Sequence, residues 1–262
     1  MQPERNDKKG CFHSDMICVF FGGEDCDDTR FRTTLHYAAA MSSVKVLQDL
    51  IEKGADVNER CNLCRYNGGG TPLHFAAKYS PSVEVLKCLV KRGVNVDAKD
   101  NNENTPLHLA TLYNSNIKIV QYLIEQGADV NVKNKDKYTP IRCAAKFALN
   151  VDVLKCLIEK GADVKNNIEQ YPLLYFAVEN PNVDVIKYLI ENVADANAPY
   201  RYEEPLLCRA ARTSNVDVVK YLITKGADVN EKTNSGKTAL DFARTDEIQN
   251  ILREAGGKSG KN

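Results

Sequence analysis

The chain is long and electrically balanced. It has 262 residues, of which 43% are hydrophobic and 27% charged, a composition typical of a folded, soluble protein. Because this length exceeds that of most single hydrophobic cores, we expect two domains or an array of repeats. Lys plus Arg and Asp plus Glu each number 35, so no overall field favours nucleic acid or an anionic membrane as the partner.

Residues 1–32 show no repeated pattern. Their apolar run at 17–21 is too short to cross a bilayer or to form the core of a signal peptide, and we expect residues 16–21 to pack over the next unit as a cap. The nine cysteines of the chain, an odd number at modest density, indicate a reducing compartment with most thiols free. We therefore expect a cytoplasmic protein, with the nucleus and delivery into a host cell left open.

Seven similar motifs recur along the rest of the chain. They read TTLHYAA, TPLHFAA, TPLHLAT, TPIRCAA, PLLYFAV, PLLCRAA and TALDFAR, and successive starts lie 38, 34, 34, 33, 33 and 33 residues apart. A second motif of the form GADVN follows every start except the last by 21 or 22 residues. A period of this length is the signature of a repeat architecture.

Each unit contains the signals of two short helices. Thr-Pro places a side-chain oxygen at the N-cap and a fixed φ at the first helical position, and the small Ala pair lets neighbouring helices approach closely. After a break, segments such as VEVLKCLV at 83–90 have apolar residues at helical spacing, and Gly93 suits a left-handed C-cap. One unit cannot bury its apolar face alone, so the units are expected to stack.

In these two phased motifs the chain resembles ankyrin repeat proteins, over about residues 33–256. The resemblance implies an all-α fold, an ankyrin-repeat solenoid of stacked helix-turn-helix units with finger loops, whose repeats start near 33, 71, 105, 139, 172, 205 and 238. A polar-faced helix at 247–254 would close this domain, and the glycine-rich residues 257–262 are expected to be disordered. Residues 1–32 form a separate segment, the candidate cap.

The finger between the first two repeats is about five residues longer than the others and reads CNLCRYNGGG. Its glycines suit the positive-φ turns of a long loop, and neither a preceding strand nor a following Gly-Lys-Ser/Thr indicates a phosphate loop. Cys61 and Cys64 form half of a tetrahedral zinc site. The remaining ligands would come from Cys11, His13, Cys18 or Cys26. A structural zinc, a redox pair and ordinary surface thiols stay open as alternatives.

No arrangement of residues indicates an enzyme or a cofactor site. The resemblance makes the motif histidines His36, His74 and His108 structural links between units. Other residues replace them in the remaining repeats, namely Arg142, Tyr175, Cys208 and Asp241. Cys88 and Cys156 are flanked by leucines in second helices, as is typical of buried thiols. We therefore predict a non-catalytic protein without a cofactor.

Aromatic side chains are the main candidate contact residues. Tyr79, Tyr113 and Phe147 follow the Ala pair of a first helix, or its equivalent, by two residues, a position that the resemblance places on the concave face. Large side chains with a polar tip often anchor protein interfaces, and packing within the fingers is the alternative. The rest of the candidate partner-binding set consists of Tyr66, Tyr138, Tyr171, Tyr200 and Tyr202 in the fingers, together with Arg212.

The predicted function is protein binding by a monomeric solenoid, through the concave face and the finger loops of repeats two to six. Acidic residues in the same fingers, among them Glu103 and Asp136, would cancel much of the attraction for nucleic acid. The alternative is an inhibitor or effector-type protein that sequesters a host or cellular protein. The resemblance also implies asparaginyl hydroxylation in the GADVN turns, at Asn58, Asn131 and Asn230.

Overall fold

The structure, a computed structural model, describes residues 34–61, 68–164, 173–193 and 204–260. These residues contain fourteen α-helices, two for each of the seven units. The first helices are α1 (Thr34–Ala40), α3 (Pro72–Tyr79), α5 (Pro106–Tyr113), α7 (Pro140–Phe147), α9 (Leu173–Ala177), α11 (Leu206–Ala211) and α13 (Ala239–Phe242). The second helices are α2 (Val44–Glu52), α4 (Val83–Val90), α6 (Ile117–Glu125), α8 (Val151–Glu159), α10 (Val183–Asn192), α12 (Val216–Thr224) and α14 (Asp246–Glu254).

The units stack through like helices. First helices contact the first helices of adjacent units, and second helices contact second helices in the same way. The alanine pairs of the first helices are fully buried, namely Ala76 and Ala77 in α3 and Ala144 and Ala145 in α7. Their small side chains let the backbones of neighbouring helices come close. One hydrophobic core runs through all seven units. The predicted all-α array of stacked helix pairs is therefore confirmed.

The motif histidines join each unit to the next. In the second unit, the backbone N–H of the N-cap residue Thr71 donates to Nδ1 of His74 at 3.1 Å, and Nε2 of the same ring donates to the carbonyl oxygen of Asn104 at 3.0 Å. His108 repeats the arrangement one unit later, with Tyr138 supplying the carbonyl at 3.0 Å. Since a carbonyl oxygen can only accept, these rings carry their proton on Nε2.

Second helices of successive units pair in a repeating pattern. Nζ of Lys155 lies 5.7 Å from the ring centroid of Tyr188 in the next unit, within the range of a cation–π interaction. Where the earlier unit has Gln48 at the lysine position, the next has Cys88 at the tyrosine position. The same two combinations recur in the sequence as Lys87 with Tyr122, Lys187 with Tyr221 and Gln121 with Cys156.

The enlarged first finger closes on itself and touches the next finger. The backbone N–H of Cys61 donates to the carbonyl oxygen of Gly70 at 2.9 Å, and that of Gly69 donates back to Cys61. Gly69 has φ of 78°, as expected for a turn that favours glycine. A Cβ at this position would collide with the side chain of Asn101, so the absence of a side chain also permits the contact with the second finger.

The carboxyl-terminal residues 257–260 pack against the last unit, which differs from the disorder expected there. The backbone N–H of Lys258 donates to Oδ1 of Asn230 at 2.8 Å, and the hydroxyl of Thr238 donates to the Lys258 carbonyl at 2.6 Å. The N–H of Gly260 reaches Oδ2 of Asp241 at 2.8 Å. The seventh unit has no GADVN turn of its own, and these residues take the place of that turn.

None of the described helices is long and apolar enough to cross a membrane. The proposed cap at residues 1–32 lies outside the residues that the structure describes.

Candidate functional site

Large apolar side chains are exposed at one end of three consecutive first helices. Tyr79, Tyr113 and Phe147 are the last residues of α3, α5 and α7, and their exposed fractions are 36%, 59% and 44%. Leu149, two residues beyond Phe147, is 71% exposed. We call these four residues the first-helix patch. Only one other large apolar side chain in the described part of the chain is exposed, Val46 on the second helix α2.

A lysine joins the two tyrosines of the patch. Nζ of Lys78 lies 4.8 Å from the ring centroid of Tyr79 and 4.3 Å from that of Tyr113 in the next unit. The ring of Tyr79 in turn lies 6.3 Å from that of Phe75, which is only 3% exposed. The exposed rings are therefore held in position by a cation beside them and by the core below them.

The exposed aromatic series ends at the fourth unit, because charged residues replace the aromatic side chain in the next two units. The register is unchanged, since the second helix begins eleven residues after the motif proline in the fifth unit (Pro172 to Val183) as in the second (Pro72 to Val83), although α9 and α11 have five and six residues against eight in α7. Charged residues, Glu179 and Arg212, then occupy the surface where the aromatic side chain lies in the earlier units. Within the described residues, the predicted concave ladder is an aromatic patch of units two to four.

Ion pairs cover the neighbouring surface of units four to six. Glu179 pairs with Nζ of Lys146 at 3.1 Å and with the guanidinium of Arg209, so it bridges the fourth and sixth units. The guanidinium carbon of Arg209 also lies 3.4 Å from the ring centroid of Tyr175. Together these contacts fix the charged side chains in one arrangement and leave this surface polar.

Arg212, a predicted contact residue, is engaged within the protein. Its Nη2 lies 2.7 Å from Oε1 of Glu204, and its guanidinium carbon lies 4.1 Å from the ring centroid of Phe242. The side chain is nonetheless 46% exposed. It lies outside the first-helix patch but on the same side of the array, at the end of a first helix.

Tyr138, the one described finger tyrosine among the predicted contacts, supports packing instead. It is half-buried against the core, and its ring meets that of Phe176 edge-on at 5.5 Å. Its backbone N–H donates to Asn134 Oδ1 at 2.9 Å and its carbonyl accepts from His108. The other predicted finger contacts, Tyr66, Tyr171, Tyr200 and Tyr202, lie outside the described residues.

The described cysteines offer neither a metal site nor a reactive thiol. Cys61 is fully buried beside Ala40 and Phe75 and is disulfide-bonded, which is not the state of a zinc ligand, and Cys64 lies outside the described residues. Burial raises the pKa of Cys143 and Cys208 to about 12, so both stay protonated near neutral pH. In the described ranges no three His, Cys, Asp or Glu side chains cluster as metal ligands would.

The family follows from the periodic geometry and from a sequence comparison. A family model described as ankyrin repeats (3 copies) matches residues 35–134, 113–200 and 174–257. The chain is an ankyrin repeat protein. Proteins of this family are generally non-catalytic and bind other proteins.

Solved ankyrin repeat domains resemble this one over most of its length. The human ASB11 ankyrin repeat domain has a TM-score of 0.72 and 28% identity, covering 87% of this chain and 99% of that domain. The ankyrin repeat domain of Bcl-3, a member of the IkappaB protein family, has a TM-score of 0.60 and 25% identity, covering 84% and 98%. Among curated proteins, the ankyrin repeat protein FPV233 of fowlpox virus is 42% identical over 59 residues, 22% of this chain and a tenth of that protein.

Asparagine side chains in the GADVN turns hydrogen-bond to the backbone of the next ankyrin repeat, and we call each such set of bonds an asparagine bracket. The side-chain amide of Asn131 donates to the carbonyl of Gly161 at 3.1 Å, and its Oδ1 accepts from the N–H of Asp163 at 2.7 Å. Asn230 makes the equivalent two bonds to Gly256 and Lys258, at 3.1 and 2.8 Å.

Asn58 is held more loosely than the other two. Its Oδ1 accepts one longer hydrogen bond across the repeat boundary, from the N–H of Asn95 at 3.4 Å. All three asparagines are exposed, yet a bracket with two bonds restrains its turn more than one with a single long bond.

Sequence reasoning missed Leu149 and Glu179 as surface-defining residues. Leu149 occupies the loop position that holds Pro81, Ser115 and Pro181 in other units, and a leucine at a position otherwise occupied by proline or serine was the available signal. The role of Glu179 depends on side chains two units apart in space, which no local motif encodes.

Proposed function

We propose that this ankyrin repeat protein is a non-catalytic binding module whose partner protein contacts the first-helix patch. The observation that carries the proposal is that, of the five exposed large apolar side chains in the described residues, four lie at or just beyond the ends of α3, α5 and α7. Exposed apolar groups that gather on one surface, rather than scatter singly, are typical of interaction sites.

The patch has the properties of an interface centre. Its two tyrosines carry apolar rings with polar tips, and Phe147 and Leu149 are wholly apolar at their ends. The ion pairs of Glu179 border it with polar side chains, as the rim of an interface borders its core. A partner of standard size would bury roughly 800 Å² per side, so the proposed contact extends into Arg212 and the fingers that contain Tyr66, Tyr138, Tyr171, Tyr200 and Tyr202.

The test compares partners captured from cell lysate by the wild-type chain and by the triple variant Tyr79→Ala/Tyr113→Ala/Phe147→Ala. Val46→Ala is the matched control, since Val46 is a similarly exposed apolar residue, 41% exposed, on a second helix. We expect the triple variant to lose a partner that the control retains, with both giving the wild-type circular dichroism spectrum. Retention of every partner by the triple variant contradicts the proposed surface.

A second candidate is that binding sequesters the partner, as in an inhibitor or effector-type protein. Both candidates use the same surface but differ in consequence. If the protein sequesters its partner, the captured complex excludes the partner's other ligands, and adding this chain to the partner inhibits it at stoichiometric amounts. A ternary complex that includes those ligands argues for a scaffold instead.

We also propose the GADVN asparagines as hydroxylation sites, with Asn58 modified first. A hydroxylase must draw the asparagine away from its turn, and the single 3.4 Å bond of Asn58 resists this less than the paired bonds of Asn131 and Asn230. Peptide mass spectrometry after incubation with an asparaginyl hydroxylase measures the order. Faster modification of Asn131 than of Asn58 would show that bracket strength does not control access.

A further inference from the structure

The first helices carry a net positive charge although the whole chain is neutral. The first helices hold four cationic side chains and one anionic one, namely Lys78, Arg142, Lys146, Arg209 and Asp241. The second helices hold twelve carboxylates against seven cationic side chains. The C-cap lysines of that layer, Lys53, Lys91, Lys160 and Lys225, bring it close to balance, so the clear excess of one charge is the cationic one of the first helices, on the side of the first-helix patch.

Beside the patch, Lys78 is a cation that makes no ion pair with a carboxylate of the described residues. Lys146 pairs with Glu179 at 3.1 Å, whereas Lys78 makes no ion pair with any described residue and instead lies over the rings of Tyr79 and Tyr113. A partner that covers these rings also removes water from the Lys78 ammonium. A desolvated cation without a counter-charge weakens an interface, and a carboxylate on the partner restores the balance.

We propose that the segment recognised by the first-helix patch is acidic and apolar together. A carboxylate pairs with Lys78, and neighbouring apolar side chains of the same segment pack on Tyr113, Phe147 and Leu149. This inference rests on the proposed function and specifies the partner's chemistry. A basic segment meets the positive first-helix layer with like charge, and a neutral one leaves Lys78 desolvated and unpaired.

The repeat spacing sets the spacing of groups in the segment. Packed helices lie about 9 Å apart, and an extended chain advances about 3.3 Å per residue. One repeat therefore corresponds to about three residues of an extended partner, and the three exposed rings correspond to about six. The segment is expected to carry its acidic residue within about three positions of a large apolar residue.

The experiment selects binders from a displayed library of random twelve-residue peptides on the full chain. We expect Asp or Glu to be enriched within three positions of Leu, Met, Phe, Tyr or Trp. The affinity of the most enriched peptide is then measured by fluorescence anisotropy for Lys78→Met, Lys78→Glu and the control Lys118→Glu, an exposed lysine on the second helix α6. We expect affinity to fall about fivefold for Lys78→Met and about thirtyfold for Lys78→Glu, and to change less than about twofold for the control.

The outcomes separate this inference from the proposed function. Selected peptides that lack acidic residues, or that bind Lys78→Glu as well as wild type, overturn the acidic partner, but their loss on Tyr79→Ala/Tyr113→Ala/Phe147→Ala leaves the patch standing as a binding surface. Peptides that bind the triple variant unchanged, or a selection without enrichment, count against both. Tighter binding of a twenty-nucleotide single-stranded RNA, abolished by Lys78→Glu, would replace the acidic protein segment with nucleic acid.

Discussion

The backbone N–H of Gly260 donates a hydrogen bond to Oδ2 of Asp241, with N···O of 2.8 Å. Asp241 occupies the motif position that is histidine in units one to three, where the ring donates to a carbonyl of the next unit. The direction of donation is reversed at the end of the array. Burial alone raises the pKa of Asp241, but hydrogen bonds from Ser259, Thr238 and Gly260 outweigh it and hold the pKa at about 2.

We expect deletion of residues 258–262 to lower the free energy of unfolding by about 1 kcal/mol, since it removes hydrogen bonds to Asn230 and Asp241. Asp241→Ala should cost about 2 kcal/mol because it also removes an acceptor for the N–H of Thr238. The two changes combined should cost less than their sum. Urea unfolding measures all three. Lys258→Ala is the control, because Lys258 contacts the last unit through its backbone; additive losses would mean that Asp241 does not hold the tail.

The histidine links make stability depend on pH. Burial lowers the pKa of His74 to about 4 in the folded protein, against about 6.5 in the unfolded chain. The unfolded state therefore binds the proton first, so the stability that the neutral ring contributes is complete above about pH 6.5 and is lost as pH falls toward 4. Between pH 7 and pH 5 we expect His74 alone to cost about 2 kcal/mol of unfolding free energy.

Urea unfolding at pH 7 and pH 5 measures this change, and His74→Gln is the comparison because glutamine does not titrate. The loss between the two pH values should be smaller in the variant by about the His74 share. The residual slope belongs largely to His36 and His108, whose pKa values burial also lowers. Equal slopes for wild type and variant would show that His74 is not the group that titrates.

Periodic features of this chain were predictable from sequence, and features that depend on a single interruption were not. Thr-Pro caps and Ala pairs repeat, so one copy supports the next, and the helices they predicted are present from Pro72 onward. The shortened helices α9 and α11 were not expected, because the spacing from the motif proline to the second helix is the same in these units as in the others. Docking of residues 257–260 was not expected either, because it uses mainly backbone groups and a serine hydroxyl, which hydropathy does not reveal.

The lysine–tyrosine pairs between second helices should be energetically coupled. We expect the double-mutant cycle of Lys155→Gln and Tyr188→Cys to give a coupling of about 0.5 kcal/mol, because the ammonium lies 5.7 Å from the ring centroid. The cycle is needed because Lys155 also pairs with Asp152 at 3.1 Å, and that contact cancels in the comparison. Urea unfolding of the four proteins measures the coupling. A coupling free energy near zero would show that the recurring lysine–tyrosine pairs do not stabilise the array.

Asparagine brackets should differ in strength as their hydrogen bonds do. Asn131→Ala removes two bonds across the repeat boundary and should lower the free energy of unfolding by about 1.5 kcal/mol. Asn58→Ala removes one long bond and should cost about 0.5 kcal/mol or less. Thermal unfolding of the two variants provides the comparison, and a larger loss for Asn58→Ala would contradict this order.

The helices of each unit make their main contacts with the adjacent units, and this has a mechanical consequence. A chain pulled from its two ends would not have to disrupt the whole core in one step. It would part at one repeat boundary at a time, each held by its own side-chain links, and a force–extension curve would show a series of small steps. Because the patch occupies only units two to four, the carboxyl-terminal units can unfold under tension while the binding surface keeps its shape.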